Sequence, residues 1–392
     1  MREEQFYDYS DYRDTLELVR DKNEGALSPF TFICVVLILI LMGGVTLYSA
    51  SYPEAISQGL PHYYYILKQS IFAVLGIICS IIINIVPKKW IKLSSIPLLV
   101  LSFIALLLTL FTPFGVSVLG ARRWLDLPML PSFQPSEIAK LALIIFLSNF
   151  FADERSKKYM GWYYLIPILI ICIFSALILM QKAYTTTILF LLTGLILCLA
   201  GGFRLRYIIT FLAFLVPPAL LLLLSESYRV KRIASFLFPG IDPTGLEWQV
   251  NMSLNAIKEG GLFGKGLGNG FYKLGSLPEV QNDFIFSSFV EECGLVGVFI
   301  LFTLFLLFTI LGLRGFMRER LKDEFFSNLA LGITAMIIIQ VLINICVVTG
   351  LLPPTGIPLP FFSQGGTNLF VIIVECGLLY RVIKDSVKVK NG

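Results

Sequence analysis

The sequence predicts an all-α polytopic membrane protein of about ten transmembrane helices, with the N- and C-termini cytoplasmic. Three observations carry that expectation. The 392 residues are 56% hydrophobic and only 15% charged, whereas a soluble domain carries about 25% charge. Mean hydropathy is +0.81. Apolar runs of roughly 20 residues, long enough to cross a bilayer, recur along the chain. The net charge of +5 is mild. It suits lipid headgroups or an anionic substrate rather than nucleic acid.

The runs fall at 29–50, 63–86, 93–112, 136–152, 163–180, 184–203, 207–225, 284–312, 327–349 and 361–380. Residues 1–28 are polar and mixed in charge, without the short apolar core and cleavage site of a signal peptide. They read as a cytoplasmic tail, and 29–392 as a single membrane domain with a long extracytoplasmic loop, 226–283, between helices 7 and 8. Lysine and arginine prefer cytoplasmic loops. With the N-terminus inside, cytoplasmic segments hold twenty of them and outer segments nine. The outer ones cluster in 113–135 and 226–283. Held there against the usual bias, they point to a task on that face; a long loop that tolerates charge is the plain alternative. The seven cysteines sit in apolar runs and form no CxxC, as small membrane side chains do. His62 is the only histidine, which excludes a histidine-built metal site.

Four polar stretches interrupt this pattern. In "GARRWLDLPMLPSFQPSEIAK", 120–140, Arg122, Arg123 and Trp124 read as an interfacial anchor on the outer face. Pro135 suits a first helical turn, and Glu137 then meets the positive end of the helix dipole. Glu137 and Lys140 share a helix face. Such a pair inside a membrane faces other helices or a cavity, so it either lines a substrate site or fixes packing. In 226–274, Arg229, Lys231 and Arg232 form a basic cluster. Leu246, Val250, Leu254 and Ile257 recur at helical spacing, predicting a helix on the membrane surface. Six glycines between 260 and 270 surround Lys265. They match neither GxxxxGK[ST] nor a strand-linked GxGxxG, and read as a flexible loop, with phosphate-holding amides as the second reading.

The third stretch is "SLPEVQNDFIFSSFVEECG", 276–294, where Asn282 and Asp283 precede the eighth span. Asp283 is either a helix cap or a general base at the membrane surface. Glu291 and Glu292 would lie roughly 12–13 Å further along a helix, beyond the about 5–9.5 Å that separates paired glycosidase carboxyls. Asp283 would therefore act alone, and the two glutamates read as intramembrane polar contacts. The fourth stretch, 344–370, carries Pro353, Pro354, Pro358 and Pro360, then Ser363, Gln364, Gly365 and Gly366. The prolines rule out an ordinary helix between the last two spans, and irregular backbone at membrane depth must be buried in protein or line a cavity. All four stretches are expected on the same side of the bilayer.

Together these blocks resemble the FtsW/RodA/SpoVE (SEDS) family of peptidoglycan glycosyltransferases. The most specific part is Asn344, then Gly350 through Ile357, then Pro360-Phe361-Phe362-Ser363-Gln364-Gly365-Gly366. "GARRWL", "QPSEIAKL", "GGLFGKGLG" and "LPEVQNDFIF" match further blocks in order, over essentially all ten spans. "SYRVKR" and "GLGNGFYKL" are closer to the FtsW division branch than to RodA. The resemblance implies a multi-pass protein of the bacterial cytoplasmic (inner) membrane that polymerises lipid II into glycan strands at the outer face, for septal wall synthesis. It implies that Asp283 takes the proton from the acceptor sugar's 4-hydroxyl. It assigns substrate binding to Arg122, Trp124, Glu137, Lys140, Arg229, Arg232, Lys265, Asn282, Ser363, Gly365 and Gly366. Of these, Arg122, Arg229 and Arg232 would steady the leaving pyrophosphate, with a divalent cation, magnesium or manganese, as a further means. The implied partners are a class B penicillin-binding protein transpeptidase and other division or elongation proteins.

The chain departs from the family in places. Gln181-Lys182-Ala183-Tyr184-Thr185-Thr186 stands where Gln-Pro-Asp-x-Gly-Thr is usual. Gln364 replaces a common tyrosine and Asn368 a small residue. Two other classes of function compete: a lipid II transporter with Glu137, Lys140, Gln340 and Asn344 along its path, and a non-catalytic scaffold for wall enzymes.

Overall fold

The computed structural model describes residues 29–388, apart from 119, 129–130, 154–164, 355 and most of 205–244. The described residues form α1 (Pro29–Ser57), α2 (Tyr64–Ile85), α3 (Lys88–Leu93), α4 (Ser95–Phe111), β1 (Gly115–Val118), β2 (Ala121–Leu125), α5 (Pro135–Ala152), α6 (Leu165–Met180), α7 (Tyr184–Ala200), α8 (Leu246–Gly260), α9 (Ile285–Glu319), α10 (Glu324–Val348) and α11 (Gly366–Lys388). Among the described residues, seven helical segments are long and apolar enough to cross a membrane, and α6 and α7 are shorter apolar helices. These nine coincide with nine of the ten apolar runs. The run 207–225 and the tail 1–28 lie largely or wholly outside the described residues.

The helices α5, α10 and α11 are the most enclosed. α5 starts at Pro135 with Glu137 in its first turn, as the proline and the helix dipole predict. It buries small residues such as Ala139, Ala142 and Ser148 among leucines and isoleucines, and it packs on α4, α7 and α10. α11 lies against α2. Ser80 donates to the Ile373 carbonyl (2.8 Å) and Asn84 to that of Gly377 (3.1 Å). The opposite face of α2 exposes Ile71, Val74, Ile78, Ile81, Ile82 and Ile85. A helix apolar on all sides, with one side uncovered by protein, is what lipid contact requires.

The two ends of the bundle differ. At one end Lys88 and Lys92 pair with Asp323, which also caps α10 by accepting from the Phe325 amide at 3.1 Å. Arg381 donates there to the carbonyls of Ile83 and Val86. At the other end lie the β1–β2 hairpin, the α8 helix and the proline-rich segment 350–365.

One predicted span is not continuous. The run 284–312 reads as a single helix, but α9 breaks at Gly294, whose backbone is at φ 65° and ψ −168°. Segment 261–266 fills the break. The amides of Leu295 and Val296 donate to the carbonyls of Gly261 (3.0 Å) and Leu262 (3.1 Å). The carbonyls of Glu291 and Glu292 accept from the amides of Lys265 (2.9 Å) and Gly266 (3.0 Å). Four backbone groups that a broken helix would leave orphaned are thus paired. The glycine-rich segment is therefore docked rather than a flexible loop. A side chain on Gly264 would overlap the Glu292 carbonyl, and the residue is at φ +76°. The helix α8 also does more than rest on a surface. Ala256 and Ser253 are fully buried, and Ser253 donates to the Val348 carbonyl (2.8 Å), so α8 docks on α9 and α10.

Two glycines separate backbone strain from close approach. Gly268, at φ +84°, has nothing within 4 Å of an added Cβ, so Gly268→Ala is expected to cost only the left-handed penalty of about 1–2 kcal/mol. Gly264→Ala adds a backbone clash and is expected to cost about 3 kcal/mol or more. Thermal unfolding of the purified proteins in detergent should place wild type, Gly268→Ala and Gly264→Ala in that descending order.

Candidate functional site

Asp283 lies in the turn that leads into α9. The N-cap position belongs to Phe284, whose side chain makes no capping hydrogen bond, and Asp283, read from sequence as either a cap or a base, stands one residue earlier. Asp283 is half-buried. Its carbonyl accepts from Asn344 Nδ2 (2.8 Å), and the same amide donates to the Ile357 carbonyl (2.8 Å). One helical turn away, Gln340 Nε2 donates to Pro358 (3.0 Å). The Gln364 amide donates to the Gln281 carbonyl (2.8 Å). An added Cβ on Gly356, at φ +71°, would stand 3.7 Å from Asp283 Oδ2. The carboxylate therefore faces the proline-rich segment.

The expected binding residues Ser363, Gly365 and Gly366 shape that segment. Ser363 Oγ accepts from the Leu359 amide (2.8 Å). Gln69 bonds both the Ser363 carbonyl (3.1 Å) and the Gly365 amide (3.1 Å). A Cβ on Gly366 would overlap the Phe72 ring. These contacts join α2 to the turn of Asp283 through the backbone of 357–366.

Glu137 and Lys140 are a buried ion pair at 2.9 Å, 4% and 3% exposed. Lys140 also donates to Gln340 Oε1 (3.2 Å), and Asn368 Nδ2 to Glu137 Oε2 (2.6 Å). Of the two readings of this pair, the structure supports packing: it ties α5 to α10 and α11. Burial without these partners would cost several kcal/mol. The departure at Asn368 has a local reason, since a small residue would leave Glu137 one hydrogen bond short. The residues of the transporter path lie in the same layer. Glu137, Lys140, Gln340 and Asn344 are all buried and bonded to one another or to backbone carbonyls.

Glu291 and Glu292 are structural contacts. Glu291 is fully buried and accepts from the amides of Phe271 (2.6 Å) and Tyr272 (3.3 Å) and from Lys265 (3.1 Å). Glu292 accepts from the Gly268 amide (3.0 Å), Lys273 (2.6 Å) and Ser49 (2.6 Å). The anions that the glycine-rich amides hold are the chain's own carboxylates, which replaces the phosphate-cradle reading. Lys265, expected to bind substrate, is engaged by Glu259 and Glu291. The Lys265 ammonium and the Tyr272 hydroxyl hold the Glu259 carboxyl below its ordinary value of 4.5, and Glu259 in turn pushes the Lys265 ammonium up. Lys273 and Ser49 were not anticipated. The available signal was that two acids in an apolar helix require cations, and Lys265 and Lys273 are the nearest preceding ones in the chain.

Arg122 is also occupied. Its guanidinium donates to the carbonyls of Gly115 (3.1 Å), Leu110 (3.2 Å) and Thr112. It thereby finishes α4 and ties it to the hairpin. Arg123 bonds the Lys182 carbonyl. Trp124 is half-buried opposite Val116 in the hairpin, and Asn282 donates to Glu279. Arg229 and Arg232 lie outside the described residues. Among the described residues, no three His, Cys, Asp or Glu side chains gather into a metal-binding group.

Comparison with known proteins gives a consistent pattern. The family model of FtsW, RodA and SpoVE, described as "Cell cycle protein", matches residues 30–388. The chain is 35% identical over 356 residues to the probable peptidoglycan glycosyltransferase FtsW of Borreliella burgdorferi, covering 90% of this chain and 96% of that protein. It is 37% identical over 359 residues to the stage V sporulation protein E of Bacillus subtilis, covering 90% and 95%. Its fold is similar to that of a chain in a solved peptidoglycan synthase complex that coordinates polymerization and crosslinking. The TM-score is 0.74 at 24% identity, over 92% of this chain and 98% of that one.

The clamp around Glu292 yields two expectations. Lys273→Met leaves a buried carboxylate unpaired and is expected to cost about 3–5 kcal/mol, and adding Glu292→Gln should restore much of the loss; a double-mutant cycle on unfolding midpoints measures the coupling. The Glu259–Lys265 pair makes stability depend on pH. Because the Glu259 carboxyl is depressed, its contribution is present above the ordinary value of 4.5 and is lost as pH falls through the folded value. Between about pH 7 and pH 3, the unfolding midpoint of wild type should fall further than that of Glu259→Gln.

Proposed function

We infer, from the premise that this chain belongs to the FtsW/RodA/SpoVE family of cell cycle proteins, that it is a peptidoglycan glycosyltransferase of the bacterial cytoplasmic membrane. The observation that carries the reading is likeness along nine-tenths of the chain to a relative named for that activity. The substrate is lipid II, polymerised into glycan strands at the outer face, and the FtsW naming of the relatives supports septal synthesis.

Asp283 acts as the general base. The 4-hydroxyl oxygen of the acceptor sugar attacks the donor's anomeric carbon. The bond from that carbon to the pyrophosphate oxygen breaks, and the polyprenyl pyrophosphate leaves with the electron pair. The hydroxyl proton passes to the Asp283 carboxylate. Its half-buried position supports this role, since such a carboxylate can meet a hydroxyl while the protein shields it from part of the bulk water. Arg229 and Arg232 are the cations nominated for the developing pyrophosphate charge. A divalent cation, magnesium or manganese, is a further means of steadying the pyrophosphate charge, and no step of the reaction is assigned to it.

The natural partner is a class B penicillin-binding protein transpeptidase, together with other division proteins. The likeness in fold to a chain of a synthase complex supports it. Transport by the Glu137–Lys140 route is disfavoured, because those groups are consumed in packing.

General-base catalysis contributes about 10²–10⁴-fold, so Asp283→Asn, which keeps shape, is expected to lower lipid II polymerisation by at least the smaller factor. The assay uses purified protein with its transpeptidase, and elution on size exclusion should stay that of wild type. Retained polymerisation rules out the base role. Lipid II translocation in vesicles by a wild type that forms no glycan would instead favour transport.

A further inference from the structure

A general base works only when held to within a fraction of an ångström of its proton, and the turn that carries Asp283 is held by a side chain of another helix. The Ser287 amide bonds the Phe284 carbonyl (3.1 Å) at the start of α9, one residue past Asp283. Asn344 takes up the Asp283 carbonyl. This side chain is fully buried near the outer end of α10. Its carboxamide has two N–H donors, and both are spent: one on Asp283 and one on Ile357, each at 2.8 Å. Ile357 follows Gly356, the residue that the Asp283 carboxylate faces. A single NH2 group therefore fixes both the turn that carries the base and the segment opposite it.

Gln340 repeats the arrangement one turn away. Its Nε2 holds Pro358 (3.0 Å) while its Oε1 accepts from Lys140 (3.2 Å). The segment at Pro358 is thus tied to the buried Glu137–Lys140 pair through Gln340, one turn from Asn344 on the same helix face.

We propose that Asn344 is a positioning residue for glycan polymerisation: its carboxamide sets the separation of Asp283 from the segment at Gly356 without touching substrate. This rests on the reading of Asp283 as the base. Asn344→Asp keeps size but turns an oxygen toward two carbonyls. Asn344→Gln keeps the donor and displaces it by one methylene.

The test measures kcat and KM for lipid II polymerisation, lipid II binding and unfolding midpoints for Asn344→Asp, Asn344→Gln and Asp283→Asn side by side. A misplaced catalytic group costs on the order of 100-fold, so Asn344→Asp should lose about that in kcat, with KM and lipid II binding within about threefold of wild type. Asn344→Gln should fall between the two. Wild-type kcat in Asn344→Asp, beside an inactive Asp283→Asn, overturns the positioning role and leaves the base role standing. Binding lost in proportion to kcat also overturns it, since that marks a merely structural residue. If Asn344→Asp does not assemble in the membrane, Asn344→Gln decides: reduced kcat at unchanged KM supports the proposal, and wild-type kcat refutes it. An active Asp283→Asn removes the base reading and this proposal with it.

Discussion

The structure depends on one constraint: no backbone or charged group can stay unpaired inside a membrane protein at low cost. Gly294 interrupts α9 near its outer end, where the amides and carbonyls freed by the break face protein. The glycine-rich segment 261–266 supplies their partners and is held down by Glu291 and Glu292 in return. The break and the segment are mutually required. Without the segment the helix end would be orphaned, and without the break the segment would have nothing to dock on. The turn of Asp283 enters α9 just before this clamp, so its position inherits the rigidity of the assembly.

The same constraint shapes the second polar layer. Glu137 and Lys140 neutralise each other, Asn368 and Gln340 add a hydrogen bond to each, Gln340 extends this layer to the Pro358 carbonyl, and Asn344 one turn on holds the carbonyls of Asp283 and Ile357. These groups include two, Glu137 and Lys140, at which the family resemblance implies substrate contact. Their burial and their hydrogen bonds assign them a different part: they hold the irregular backbone around residues 283 and 357–358 in place. Arg122 belongs to the same class, as its guanidinium finishes α4.

This division of labour fits a glycosyltransferase that works at a bilayer surface. In the proposed mechanism the substrate brings the acceptor hydroxyl and the donor's anomeric carbon, while the protein contributes Asp283 as the base and a backbone held by buried side chains. Precision of placement is the resource such a site needs most. It comes from buried amides and ion pairs, which are rigid because leaving any one of them unmatched is costly.

What the sequence determined by itself was mostly local. Apolar runs marked the spans because a helix must carry its own lipid-facing surface. Pro135 and Glu137 marked the start of α5 because a helix terminus acts on its own first turn. Asp283 stood out because an acid beside an apolar run is conspicuous, and the family resemblance supplied its role. Tertiary structure alone decided the partners. Glu292 finds Lys273 nineteen residues earlier and Ser49 far up the chain, and Asn344 reaches back to Asp283 across 61 positions. Periodicity records which face of a helix is apolar, but not which distant group will neutralise a charge or take up a carbonyl. That matching exists only once the helices have packed.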